Sequence, residues 1–203
     1  MSMSPGFYKE VDSEGIWNGK WNVKLKAPGI LIPVRGIDGK ITAIQIRLNK
    51  PVNERKYIWL SSKDMPGGAS SGSPIHFVGD PTAKKIYITE GPLKGTVAHN
   101  LTRFTFVGLP SANGIGKLDV ALAVLKRNGA QEAVEALDMD KFTNKHVGIA
   151  AVKLREKLSS HGLKVVSAIW EDKTLKGVDD YYLHRMKAKR NMVYDVDVLA
   201  NAA

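Results

Sequence analysis

The chain has 203 residues, enough for one or two small domains, and its 43% hydrophobic and 25% charged residues are typical of a folded globular protein. It has no cysteine, which excludes disulfide scaffolds, cysteine nucleophiles and thiolate zinc sites, and fits a reducing, cytoplasmic location. Thirty lysines and arginines against twenty acidic residues give a net charge of +10, which favours an anionic partner, most often nucleic acid. Because no apolar run approaches the ~20 residues of a membrane span, we expect no membrane partner.

The first 80 residues are rich in glycine, proline and β-forming residues. They predict strands at residues 30–34, 41–48 and 56–60, and the Asp38-Gly39 pair between the first two is a strong hairpin signal. The run GGASSGSP at residues 67–74 predicts a solvent-facing loop. We therefore expect residues 1–80 to form a small, mainly β subdomain with antiparallel or mixed pairing.

From about Lys84 onward, predicted strands and helices alternate. Strands are predicted at residues 86–89, 104–107, 133–137 and 164–169, and helices at residues 92–100, 117–128, 145–160 and from about 179 onward. Such alternation indicates right-handed crossovers and a parallel sheet with helices on both faces. The expected fold class is therefore α/β, with a Rossmann-like domain at residues 81–185 and a basic, weakly structured tail at residues 186–203.

Acidic residues follow the predicted strands of this second part. Glu90 follows the first strand, Asp138 and Asp140 follow the third, and Asp179 and Asp180 come after the fourth and a polar turn. Since parallel strands end at one edge of the sheet, these carboxylates would repel one another unless a cation lies among them. Mg²⁺ takes such oxygen ligands and keeps waters for phosphate contact. A single acid of this kind is more often a helix cap or turn former, but the ordered set favours a metal site.

The Asp138-x-Asp140 spacing adds a geometric expectation. In an extended segment, residues two apart point to the same side, so both carboxylates would face one ligand.

The order strand-Glu-Gly, strand-Gly, strand-Asp-x-Asp resembles the Toprim domain of bacterial-type primases, topoisomerases and some nucleases. The stretch from Gly29 to Ser61 is similar to the segment that precedes Toprim in the catalytic core of replicative bacterial primases. The likeness covers about residues 29–183. It implies a Toprim-type parallel sheet flanked by helices and preceded by a small, mainly β subdomain.

The resemblance also implies roles for individual residues. Glu90 resembles the Toprim glutamate, a metal ligand or general acid/base, and Asp138 and Asp140 resemble the pair that holds Mg²⁺. Lys176 and Asp179 resemble the lysine and the first aspartate of the third primase motif, and Asp179 or Asp180 would complete a second metal site. Mn²⁺ is the alternative ion, and no zinc is expected. The residues expected to contact nucleic acid or nucleotide are Arg47, Lys56, Tyr57, Lys94 and Lys176. Gly108 matches a glycine at which the chain turns close to the site.

Lys94 departs from the replicative primases, which carry an acidic residue four positions after the glutamate. The Glu-Gly-x-x-Lys form resembles Toprim proteins of phages, plasmids and other mobile elements. The sequence also lacks the cysteines of a zinc-binding module and a helicase-binding domain. We therefore expect a primase-like core, with a helicase or other replication domains supplied separately.

Three functions remain open at this point. The first is a Mg²⁺-dependent, primase-like nucleotidyltransferase that acts on single-stranded DNA and nucleotides. The second is a Toprim-type nuclease with the same metal site, which would cleave DNA without triphosphates. The third is a non-catalytic nucleic-acid-binding module, whose binding would be sensitive to salt and would survive removal of the acids.

Overall fold

The structure is a computed structural model that describes residues 4–25 and 27–188, without the side chains of residues 112 and 113. The chain forms two compact units, Met1–Phe77 and Val78–Ala203. In the predicted tail, residues 186–188 continue the last helix, which corrects the expectation of weak structure there. The remainder of that tail lies outside the described residues.

The first unit consists of two antiparallel sheets. Strands β1 (Phe7–Val11) and β2 (Trp17–Val23) form a two-stranded sheet, and β3 (Gly29–Arg35), β4 (Ile41–Val52) and β5 (Arg55–Trp59) form a three-stranded sheet in that order. On one face of the second sheet, Ile46, Leu48 and Leu60 form a small buried core. The predicted mainly β subdomain is therefore confirmed.

The hairpin of β1 and β2 was not predicted from the sequence. Its turn is held by the Asp12 carboxylate, which accepts hydrogen bonds from the backbone N–H groups of Glu14 and Ile16. The signal that could have found it is the alternation in β2, where Trp17, Trp21 and Val23 are separated by polar residues or glycine.

The chain from His76 onward forms a five-stranded sheet. Its strands are β6 (His76–Val78), β7 (Lys85–Glu90), β8 (Thr105–Leu109), β9 (Glu132–Glu135) and β10 (Lys164–Ser167), and their order in the sheet is β10-β9-β7-β8-β6. All of these strands except the first two residues of β6 belong to the second unit. The pairs β7–β8, β7–β9 and β9–β10 are parallel, as expected for strands joined through helices. The α/β fold class predicted from the alternation of elements is confirmed.

Among the residues that the structure describes, four α-helices connect and follow these strands. They are α1 (Pro92–Thr102), α2 (Asp119–Arg127), α3 (Lys145–Ser160) and α4, which begins at residue 178 and includes residue 188. Two 3₁₀ helices add to them, Ala112–Leu118 before α2 and Met139–Phe142 before α3. Within the described residues, no helix is long and apolar enough to cross a membrane.

The central strands carry mainly apolar side chains where they cross the core, and this positions their ends. Ile86 and Ile88 of β7 are completely buried, as are Phe106, Val107 and Leu109 of β8. Strands buried on both faces have little freedom to slide, because a shift of one residue would expose these side chains. The carboxyl ends of β7 and β9 are therefore held side by side, and the residues that follow them share one edge of the sheet.

Candidate active site

The first of the carboxylates predicted to form a metal site is Glu90, which is the last residue of β7. Asp138 and Asp140 follow β9, which is the hydrogen-bonded neighbour of β7. The segment that carries them is not extended, which corrects the sequence-based expectation. Asp138 has an extended backbone, but Asp140 lies in the 3₁₀ helix Met139–Phe142. The turn forms because Met139 is buried and the carbonyl oxygens of Asp138 and Asp140 accept hydrogen bonds from Lys141 and Thr143 N–H groups.

Asp138 is bound by a lysine. The Lys94 ammonium, in the first turn of α1, donates hydrogen bonds to both carboxylate oxygens of Asp138. The Asp138 side chain is only 5% exposed and that of Lys94 27%, so water has little access to the pair. The residue predicted to contact substrate phosphates therefore neutralises a predicted metal ligand.

Asp140 is bound by a second lysine in a more open position. Lys176 Nζ lies 2.9 Å from Asp140 Oδ2 and 3.8 Å from Asp138 Oδ2, and its side chain is 59% exposed. The hydrogen bond to Asp140 raises the pKa of Lys176. The other oxygen of Asp140, Oδ1, is buried and has no hydrogen-bond partner among the described residues. Asp140 therefore keeps one unsatisfied acceptor at this edge of the sheet.

Glu90 lies in the electrostatic field of the same groups. Burial raises the pKa of Glu90, the negative charge of Asp138 raises it further, and Lys94 partly opposes both effects. The next residue, Gly91, has a φ of +87°, and a Cβ on Gly108 would lie 2.9 Å from the Gly91 carbonyl oxygen. This close approach brings the end of β8 against the turn after Glu90. Gly108 itself lies within β8 and not at a turn, which corrects the expectation that the chain turns there.

Asp179 and Asp180 stand at the start of α4, and the structure gives them different environments. Asp180 Oδ2 accepts a hydrogen bond from the backbone N–H of Gly177, as an acid in the first turn of a helix does when it caps that helix. Asp179 Oδ1 is buried without a hydrogen-bond partner among the described residues. Burial raises the pKa of Asp179, and the charge of Asp180 adds to this effect. Of the two, Asp179 has a buried oxygen without a hydrogen-bond partner, whereas Asp180 is exposed and caps the helix.

Whether these carboxylates could bind a divalent cation depends on the side chains that already pair with them. Within the part of the chain that the structure describes, no three His, Asp or Glu side chains are grouped as a set of metal ligands. Lys94 and Lys176 bind two of the predicted ligands instead. The unsatisfied Oδ1 of Asp140 nevertheless fits a hard cation, because carboxylate oxygens are the ligands that Mg²⁺ prefers. Lys176, being mostly exposed, can move into solvent when a cation binds. The donor set thus fits one such ion on the side of Glu90 and Asp140.

The nucleic-acid residues predicted in the first unit lie on its three-stranded sheet. Arg47 of β4 is the direct cross-strand neighbour of Tyr57 of β5 and of Ile30 of β3, and all three are exposed. Lys56 is exposed as well, but it precedes Tyr57 in the strand and therefore belongs to the opposite face of the sheet. The sheet thus brings Arg47 and Tyr57 together and separates Lys56 from them.

Sequence reasoning missed a buried charged cluster behind the site. The Glu135 carboxylate is completely buried at the end of β9, three residues before Asp138. Its oxygens accept hydrogen bonds from Leu137 N, Lys141 Nζ, Arg155 Nη1 and Ser167 Oγ. Burial lowers the pKa of Lys141, and the charge of Glu135 opposes that effect. A glutamate within the apolar run Ala133–Leu137 was the available signal. The cluster fixes both ends of the turn that carries Asp138 and Asp140.

Comparisons with known proteins give a result at the level of the fold. The sequence matches no family model and no curated protein. The structure, however, is similar to the zinc-binding and RNA polymerase domains of the Aquifex aeolicus primase, with a TM-score of 0.57, 12% identity, and coverage of 88% of this chain and 42% of that one. A DNA primase domain from Pseudomonas aeruginosa gives a TM-score of 0.55 at 15% identity, over 84% of this chain and 50% of that one. The chain has the fold of a bacterial primase catalytic core.

Another solved structure with the primase-core fold is that of a DnaG primase catalytic domain bound to single-stranded DNA. Its TM-score is 0.54 at 13% identity, with coverage of 90% of this chain and 55% of that one. The chain therefore spans about half the length of the primase structures that it matches. The structural similarity establishes the shared primase-core fold. Because the sequence identities are this low, the activity has to be argued from the residues.

Proposed function

We propose that the chain is a Mg²⁺-dependent, primase-like nucleotidyltransferase with a Toprim-type core, which acts on single-stranded DNA and nucleotides. The observation that supports this function is the meeting of Glu90, Asp138 and Asp140 at one sheet edge of a primase-core fold. The Glu-Gly-x-x-Lys form of the first motif supports an origin in a mobile genetic element. A helicase or other replication domains would then be supplied separately.

The residues at this edge can be given roles from their contacts. Glu90 and Asp140 would hold Mg²⁺, which when bound neutralises phosphate charge and favours ionisation of the attacking hydroxyl. Lys176 is exposed and can leave Asp140 to bind the phosphates of an incoming nucleotide. If Glu90 does not bind the ion, its carboxylate would instead act as a general base for that hydroxyl. Asp138, fixed by Lys94, would line the site, with Asp179 beside it.

Single-stranded DNA would contact the exposed sheet of the first unit. Arg47 offers a cation for a phosphate, and its neighbour Tyr57 offers a ring on which a base can stack. Lys56 supplies a further cation on the other face. The DnaG catalytic domain bound to single-stranded DNA has the same fold and supports this choice of partner.

The test is primer synthesis on single-stranded DNA with labelled nucleotides and Mg²⁺ or Mn²⁺. We expect metal-dependent oligomers from the wild-type chain and none from Asp140→Asn, which keeps the shape of the side chain and removes its charge. The matched control is Asp119→Asn, which removes an exposed carboxylate that pairs with Lys157 on α3. Synthesis that persists in Asp140→Asn would contradict the proposal, as would a folded, DNA-binding wild-type chain that makes no product.

A non-catalytic nucleic-acid-binding module is the second candidate. The observation that favours it is that lysines already neutralise Asp138 and Asp140. It predicts binding of single-stranded DNA that is unchanged by Asp140→Asn, without any product. The same assay also identifies the nuclease, since that activity would shorten the DNA in the absence of triphosphates.

A further inference from the structure

The ion pair between Lys94 and Asp138 is the most enclosed charge contact at the candidate active site. Both oxygens of Asp138 accept from the one ammonium group, and 5% of the aspartate side chain is exposed. An ion pair of this kind differs from the contact between Lys176 and Asp140, in which the lysine is 59% exposed. One of the two lysines is therefore built into the site, and the other lies at its surface.

The position of Lys94 in its helix is unfavourable by itself. It is in the first turn of α1, two residues after Pro92, and no acidic residue of that turn compensates its charge. A cation at a helix N-terminus opposes the helix dipole and is unfavourable there unless an acidic group compensates it. The lysine is retained at this position by Asp138, which is 44 residues away in the chain.

The ammonium group also lies close to Asp179. A Cβ added to Gly177 would be 3.3 Å from Lys94 Nζ and 2.4 Å from Asp179 Oδ1, so both atoms approach the same point of the backbone. The Lys94 ammonium group therefore contacts Asp138 and also lies near Asp179. A divalent ion that bound both of these carboxylates would have to displace this ammonium group.

The charges at the site also limit where a second ion could bind. Lys94 neutralises Asp138, and Asp179 adds one negative charge close to the same ammonium group. Once Lys176 has moved away, Glu90 and Asp140 present two negative charges on the other side. One divalent cation balances these two charges, and a second one would have to lie next to the Lys94 ammonium. Like charges in direct proximity repel each other in a partly buried site, and the repulsion is larger for a divalent ion than for a monovalent one.

We propose that Lys94 is a built-in cation that replaces a second divalent ion between Asp138 and Asp179, so that the site binds one divalent ion per chain. This inference rests on the proposed function, because it takes Glu90 and Asp140 as the side that holds the ion. It makes Lys94 a positioning residue, which holds Asp138 in place.

The number of bound ions tests the inference without any measurement of activity. Free Mn²⁺ is titrated with the full chain and detected by electron paramagnetic resonance. We expect one Mn²⁺ per wild-type chain and two per Lys94→Gln chain, because the glutamine leaves the Asp138 and Asp179 carboxylates without their cation. Lys153→Gln is the matched control, since it removes an exposed lysine of α3, and should bind one ion.

A second variant separates this arrangement from one in which Asp138 is a metal ligand. Asp138→Asn should still bind one Mn²⁺ with an affinity within a few-fold of wild type, and a tenfold or greater loss would overturn the inference. Two ions in the wild type, or one ion in a folded Lys94→Gln chain, would overturn it as well and leave the metal-dependent function standing. A wild-type chain that binds no Mn²⁺ would instead overturn the proposed function.

Discussion

Glu90 is a single residue whose ionisation should be visible in the stability of the whole chain. Its pKa is raised in the folded protein by burial and by the neighbouring charge of Asp138. A carboxyl group with a raised native pKa contributes stability that is present below its unfolded pKa and is lost as the pH rises through the native value. Above that value, the folded chain holds a charge that it stabilises less well than water does.

Replacement of this residue should therefore stabilise the protein at high pH. We expect Glu90→Gln, in EDTA, to have a larger free energy of unfolding than wild type at pH 8, with the difference shrinking toward pH 4. Urea denaturation at the two pH values measures it, with Glu156→Gln on the exposed side of α3 as the control. A stabilisation that grows as the pH falls would refute the assignment of burial as the main cause.

At the same scale, the sequence identifies the acids of the site and leaves their partners open. Three of these acids could be predicted, because each comes after an apolar strand pattern that is recognisable in the sequence: Glu90, Asp138 and Asp140. The partner of Lys94 could not be named, because β9 lies next to β7 although β8 comes between them in the chain. Which carboxylate a lysine of α1 meets is decided by this strand order, and no local pattern records it.

At the scale of one element, the turn after β9 depends on the buried Glu135 cluster. Lys141 donates to both oxygens of Glu135 and to the carbonyl oxygen of Ala168, and its side chain is 4% exposed. Loss of one partner from a buried ion pair typically costs about 3–5 kcal/mol, because the remaining charge is left uncompensated. Arg155 still pairs with Glu135 when Lys141 is replaced. We therefore expect Lys141→Met to lower the free energy of unfolding by about 3 kcal/mol, the lower end of that range, in urea denaturation.

The double variant Glu135→Gln/Lys141→Met serves as the control for that prediction. It removes both charges, so it should be more stable than Lys141→Met alone. If the single and double variants were equally destabilised, an unpaired charge would not be the cause. The lost packing of the Lys141 side chain would then account for the destabilisation.

Elements that follow a simple period could be predicted, and those that depend on specific hydrogen bonds could not. The buried strand β7 and the amphipathic helix α3 agree closely with their predicted ranges. The 3₁₀ helix Met139–Phe142 was not predicted, because four residues are too few to show a hydrophobic period. It forms through the burial of Met139 and through a backbone hydrogen bond from Met139 N to the carbonyl oxygen of Lys176, which is distant in sequence.

At the scale of the whole molecule, the net charge of +10 predicts that binding to single-stranded DNA weakens as salt is added. Arg47→Ala should lower the affinity and reduce the slope of log K against log salt by about 1, since one phosphate contact is lost. Tyr57→Leu should lower the affinity by about 1–3 kcal/mol and leave the slope unchanged, since stacking releases no counterion. Fluorescence anisotropy with a labelled oligonucleotide at several salt concentrations measures both quantities. Equal slopes for Arg47→Ala and wild type would refute a phosphate contact.

The chain as a whole also contains its own optical reporter. Of its four tryptophans, Trp17, Trp21 and Trp59 belong to the first unit, and Trp170 alone belongs to the second. The Trp170 ring is buried and stacks on Tyr181 of α4, and its indole N–H donates to the carbonyl oxygen of Leu175, the residue before Lys176. In a chain whose other three tryptophans are phenylalanines, all indole emission would come from the segment that carries Lys176 and Asp179. The emission maximum and intensity would then report changes in the environment of this segment when a nucleotide or a metal ion binds, without any attached dye.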